Sequence, residues 1–129
     1  MDLYKILSFN GKELKVVYSG STYAHLESID GEIYVVIREK IYKYSDGGLI
    51  LWKDFTATEY RGRAIGWSEK DFFCITNDGI SHYNGTDFKT LYKTDMSSSS
   101  GIAVPNNIFF IFFEFKTGYN VIIRGELQN

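Results

Sequence analysis

The stretch Glu39 to Gly47, EKIYKYSDG, returns thirty-nine positions later as Asp78 to Thr86, DGISHYNGT. Ile41 falls on Ile80, Tyr44 on Tyr83, and Ser45-Asp46 on Asn84-Gly85, so each copy sets an aromatic just before a turn dipeptide. The offset extends beyond the seed. Ile33-Tyr34-Val35-Val36 falls on Phe72-Phe73-Cys74-Ile75, Leu26 on Ile65 and Leu49 on Phe88, apolar on apolar throughout. A further copy lies near the start, where Phe9-Asn10-Gly11-Lys12-Glu13-Leu14 matches Tyr83 to Phe88. A looser one lies near the end, where Ile102-Ala103-Val104 and Asn107 to Phe110 resemble Ile65-Gly66-Trp67 and Asp71 to Cys74. Repeats of about forty residues restrict the chain to a solenoid, an array or a propeller.

Each copy reads as strands and turns, and no window holds a helical period. Leu3 to Phe9 and Glu13 to Tyr18 flank Asn10-Gly11, a dipeptide that tolerates the positive φ of a tight turn. Tyr23 to Ile29, Glu32 to Arg38, Lys40 to Tyr44 and Leu49 to Phe55 make four strands punctuated by Asp30-Gly31 and Asp46-Gly47-Gly48. Ala64 to Trp67, Asp71 to Thr76, Ile80 to Tyr83 and Phe88 to Lys93 repeat the set after the polar connector Thr56 to Arg63. A softer connector, TDMSSSSG, leads to Ile102 to Val104, Asn107 to Phe113 and Tyr119 to Arg124.

The second strand of each copy decides the architecture. Ile33 to Ile37, Phe72 to Ile75 and Ile108 to Phe113 are apolar at consecutive positions, so both faces of the sheet must be dry there. Four-stranded sheets stacked around an axis meet that demand, whereas an open sandwich would alternate. The expected fold is therefore all-β: a β-propeller of four-stranded antiparallel blades, about three per chain. Residues 1–19 end one blade, 23–55 and 64–93 are full blades, and 101–125 form an incomplete one. On this reading residues 1–129 are a single propeller segment.

The segment AIGWSEKDFFCITNDGISHYNGTDFKTL, Ala64 to Leu91, resembles the repeats of bacterial β-propellers. In these a Trp/Gly/Ser segment precedes Asn-Asp with apolar residues, an Asp/Asn-Gly turn, and His-Tyr-Asn/Asp-Gly. The likeness is fair over Leu26 to Leu51 and weak in the last copy, where Val104-Pro105 replaces Trp67-Ser68. It implies the fold and no single activity, since propellers serve as lectins, protein platforms and enzymes.

Thirteen strands exceed three blades by one, while closed propellers use four to eight blades. End blades of an open segment would each show an apolar face. We therefore expect completion by oligomerisation, with a homodimer of six blades in which the first hairpin of one chain completes the last blade of the other. A fragment of a larger propeller protein is the alternative.

Charge is nearly balanced, 14 basic against 16 acidic residues, which argues against nucleic acid as a partner. The longest apolar run, Ile108 to Phe113, is too short to span a bilayer, and the start shows no basic region followed by a long apolar core. We thus expect neither membrane insertion nor a signal peptide. Cys74, alone in its run, can form neither an intrachain disulfide nor a thiolate cage.

His25 and His82 occupy different strand positions and propose no triad. Asp71, Asn77, Asp78 and Asp87 lack the dense spacing of a calcium loop. No phosphate-binding glycine loop is present. We expect no cofactor and no metal. Tyr60, Arg61 and Arg63 cluster on the connector between two blades, where ring stacking and guanidinium forks suit sugars, carboxylates or peptides. Trp67 stands beside them at the start of the next blade. An ordinary solvated loop, and packing between blades for Trp67, are the plainer readings. The sequence points to a non-catalytic binding or assembly module recognising glycan or protein through such loops. A purely structural segment ranks next, and a propeller-based hydrolase or lyase last.

Overall fold

The structure is a computed structural model that describes residues 4–22, 24–56, 62–76 and 78–126, apart from the side chain of Ser99. Thirteen strands occupy these residues. Every pairing is antiparallel between sequence neighbours, and the chain divides into four sheets in order. Sheet I holds β1 (Tyr4–Phe9) and β2 (Leu14–Gly20). Sheet II holds β3 (His25–Ile29), β4 (Glu32–Ile37), β5 (Lys40–Ser45) and β6 (Gly48–Asp54). Sheet III holds β7 (Ile65–Ser68), β8 (Asp71–Thr76), β9 (Gly79–Tyr83) and β10 (Phe88–Lys93). Sheet IV holds β11 (Ser97–Val104), β12 (Asn107–Glu114) and β13 (Tyr119–Glu126).

Turn chemistry explains why these hairpins close where they do. Asp30-Gly31 and Asp46-Gly47 adopt positive φ at both residues, 51° and 77°, then 51° and 75°. That twist matches the twist of the flanking strands. Asn10-Gly11 and Asn84-Gly85 open wider loops, because the facing pairs are Phe9 with Leu14 and Phe88 with Tyr83.

Sheets II and III pack face to face through an aromatic seam. Phe72 and Tyr83 lie opposite each other on β8 and β9, their rings 5.0 Å apart. Trp52 of β6 meets Phe72 at 5.8 Å and Tyr34 at 5.2 Å, and Phe55 meets Phe88 at 4.7 Å. Each such ring removes enough apolar surface from water to contribute roughly 2–3 kcal/mol. At the edge of this seam the Tyr34 hydroxyl donates to Glu69 Oε1 at 2.6 Å, and Lys43 Nζ meets the same oxygen at 2.6 Å. Sheets III and IV meet through Phe73, Ile65, Ile80, Ile108, Phe110 and Phe112. The first strands β3, β7 and β11 lie side by side along the line where the sheets converge.

Three expectations need correction. Ser97 to Gly101 are strand, not connector: β11 runs eight residues and pairs with β12 along its length. Small residues suit that inner strand, since a Cβ on Gly101 would come within 2.7 Å of Ile65 Cδ1. Leu26 and Ile65, matched by the offset, face opposite sides. Leu26 pairs with Val35, but a bulge at Trp67 sets Ile65 opposite Phe73 rather than Cys74. Lastly, of the three second strands only β4 is buried on both faces over consecutive residues, Tyr34 to Ile37. Strands β8 and β12 alternate buried with half-buried residues: β12 because sheet IV has no neighbour on its far side among the described residues, and β8 because its half-buried Asp71 and Phe73 border a cleft between sheets III and IV.

Candidate functional site

The seam between sheets III and IV is built on the same plan as that between II and III, but it is not filled. Ile108 lies opposite Gly125 just as Phe72 lies opposite Tyr83. Leu91 of β10 stands where Trp52 stands on β6. Sheet IV has no fourth strand among the described residues to bring in a counterpart of Phe88. Glycine for tyrosine, leucine for tryptophan and a missing phenylalanine leave a cleft of about 530 Å³.

Its floor is apolar and aromatic. Trp67 meets Phe73 edge-on at 5.9 Å, and its indole N–H donates to the Val104 carbonyl at 2.8 Å, tying sheet III to sheet IV. Phe73 also lies 4.8 Å from the His82 ring. Polar groups gather on one side, where His82 Nε2 and Asp71 Oδ1 are 2.6 Å apart, with Lys70, Asn84 and Glu126 around them. An apolar floor with a few polar groups on one side is the usual form of a recognition site.

Of the residues singled out from sequence, Trp67 lines this cleft and Arg63 does not. Arg63 adopts a left-handed backbone, φ 67°, just before β7. Its guanidinium meets Glu27 Oε1 at 2.8 Å and His25 Nδ1 at 3.0 Å. Glu27 Oε2 also accepts the Ala64 N–H at 3.2 Å, so the group ties β3 to the segment entering β7. Burial raises the Glu27 carboxyl above its ordinary range, and Arg63 pulls the other way. Burial first, then Arg63, lowers the His25 imidazole. Tyr60 and Arg61 lie outside the described residues. Phe73 and Glu126 carry no signal of a site in the sequence, and His82 and Asp71, considered there for a triad and a calcium loop, line this cleft instead. The signal was Gly125 aligning with Tyr83, visible only once the pairing of β12 with β13 is known.

Cys74 is buried at the seam between sheets II and III, and burial pushes its thiol far up, which denies it the reactivity of a thiolate. Among the described residues no three His, Cys, Asp or Glu side chains gather to hold a metal ion, and no helix is long and apolar enough to cross a membrane.

The end sheets supply the second unusual surface. Ile41, Ile80 and Ile122 hold one position in sheets II, III and IV, each opposite the second strand: Val36, Ile75 and Ile111. Ile41 and Ile80 are buried, the latter 4% exposed, whereas Ile122 is 68% exposed. Ile65 and Ile102, opposite Phe73 and Phe109, repeat the contrast at 5% and 61%. At the other end Phe9 and Leu14 face each other across β1 and β2 and are 64% and 65% exposed. Leu26, on the face of sheet II that turns toward sheet I, is exposed as well.

No family model, curated protein or solved structure matches the chain at a significant level.

Proposed function

We propose that the chain is a non-catalytic binding and assembly module of β-propeller type, akin to the bacterial repeats it resembles, and that two copies close a ring of six blades. One observation carries this reading: Ile102 occupies the place that Ile65 fills inside a seam, yet no sheet of the described residues covers it. The order of the sheets supports it too. Consecutive sheets pack face to face with their first strands adjacent, as blades do around an axis. Uncovered apolar faces at both ends of such a row are complementary by construction, since each is one half of a seam the chain already forms twice.

Light scattering tests it. A particle of twice the 14.8 kDa chain mass is expected, and a stable soluble monomer overturns the ring.

The cleft favours a second reading, recognition of a sugar ring. Its apolar face would lie on Trp67 and Phe73, and its hydroxyls would meet Asp71, His82 and Asn84. A glycan array with a Trp67→Ala control checks this reading, and uniform silence removes it.

A further inference from the structure

We propose that the third-strand place in sheet IV is encoded twice in this chain, and that in the assembled protein β1 of a second copy takes it from β13. The hairpin β1–β2 of that copy would then complete the sheet, with its Phe9 and Leu14 filling the cleft. This rests on the assembly reading above and adds where and how the copies join.

The residues of the two hairpins correspond one to one. Phe9 faces Leu14 across a loop begun by Asn10-Gly11, and Tyr83 faces Phe88 across a loop begun by Asn84-Gly85. Strands β1 and β2 are therefore the third and fourth strands of a sheet whose first two are not among the described residues of sheet I. Sheet IV has the opposite composition: first, second and third strands, without a fourth. The described residues of two copies thus hold the parts of two whole sheets, with β13 left over in each.

Gly125 identifies which third strand fits worse. It offers no side chain where Tyr83 closes the equivalent seam, and the cleft is the result. Phe9 sits at the same place in the repeat as Tyr83, and Leu14 at the place of Phe88. Both lie on the correct face. The neighbouring residue Ser8 turns toward sheet II, its Oγ 2.9 Å from the Tyr44 hydroxyl, so Phe9 and Leu14 turn away from it. Tyr83 and Phe88 likewise turn toward the preceding sheet, here the direction of sheet III.

The backbone exchange is nearly balanced, because β12 gives up one antiparallel partner and gains another, while β1 uses the edge that β2 does not occupy. The gain comes from burial. Phe9 and Leu14 enter the cleft, and the uncovered face of sheet IV, with Ile102 and Phe109, comes over Leu26 of the second copy. Each copy donates one hairpin and receives one, and with three completed sheets per copy the exchange closes at two chains when each sheet turns the row by about one sixth of a circle.

Hydrogen–deuterium exchange alongside light scattering tests the proposal on the full chain. In the wild-type dimer the amides of β1 should exchange slowly and those of β13 rapidly. Phe9→Asp combined with Leu14→Asp should weaken association about a hundredfold and restore slow exchange in β13. Leu14→Ser alone serves if the double variant does not fold, and Ile50→Asp, at an exposed position on β6, should leave the dimer intact. A dimer whose β13 stays protected and whose affinity ignores both Leu14 variants overturns the strand exchange while leaving the assembly standing. A wild-type monomer removes both.

Discussion

Asn84 does for the β9–β10 hairpin what Asn10 does for β1–β2, seventy-four positions earlier. Asn84 Oδ1 accepts the backbone N–H groups of Thr86 and Asp87, both at 2.9 Å. Asn10 Oδ1 accepts those of Lys12 and Glu13 at 2.9 and 3.1 Å. In each case a glycine with φ near 100° follows, at 100° for Gly85 and 95° for Gly11. The amide side chain satisfies two donors that the loop would otherwise leave to water. Asn84→Ala and Asn10→Ala should each cost about 1 kcal/mol, read from urea midpoints. The two values should agree, because the geometry does.

Phe72 and Phe73 are neighbours on β8 with different duties. Phe72 is enclosed between Trp52 and Tyr83, so Phe72→Ala should cost about 3–5 kcal/mol. Phe73 borders the cleft and is only half-buried, so Phe73→Ala should cost about 1–2 kcal/mol. Urea denaturation of the pair measures the difference. Equal losses would mean that the seam between sheets III and IV is as tightly filled as its neighbour.

Ile80 and Ile122 share a place in the repeat and differ in cover, which makes them a matched pair. Ile80→Ala removes a buried side chain from the closed part of the seam between sheets III and IV and should cost about 2–4 kcal/mol. At concentrations where the chain is dissociated, Ile122→Ala should change stability by less than about 0.5 kcal/mol. A large loss at Ile122 would show that another surface lies over it.

How far the fold could be read from the residues follows from what a repeat encodes. Turn dipeptides and apolar pairs recur at fixed spacing, so thirteen strands, their order and four of the turn sites are visible in the sequence. The bulge at Trp67 was not. A bulge shifts side-chain direction without altering composition, and a gapless match between Leu26 and Ile65 passes straight over it. Ser97 to Gly101 looked like a connector because serine and glycine mark loops, yet an inner strand pressed against Ile65 needs small residues. The cleft depends on a side chain that Gly125 lacks, and an absence signals only when its structural counterpart is known. Arg63 was chosen for its charge. In the fold that charge is spent on Glu27 and His25 rather than on a ligand.

The group formed by His25, Glu27 and Arg63 should give the protein a pH dependence with two opposing parts. His25 titrates at a lower pH in the native state than its ordinary value of 6.5, because burial and Arg63 both disfavour its charged form. The unfolded chain therefore takes up this proton first, and the stability that neutral His25 confers is intact above 6.5 and lost as pH falls through the native value. Glu27 behaves oppositely. Its native value is raised above 4.5, chiefly by burial, so its contribution is fullest below 4.5 and is lost as pH rises through the raised value. Urea midpoints taken from pH 7.5 down to pH 4.5 separate the two. His25→Asn should remove the loss on acidification and leave a protein that gains relative stability toward pH 4.5. Glu27→Gln, which holds this position neutral at every pH, should remove the gain toward pH 4.5 and leave the acid-side loss due to His25 in place. If both variants keep the wild-type profile, the pH dependence arises elsewhere and the tie between β3 and β7 is not the titrating element.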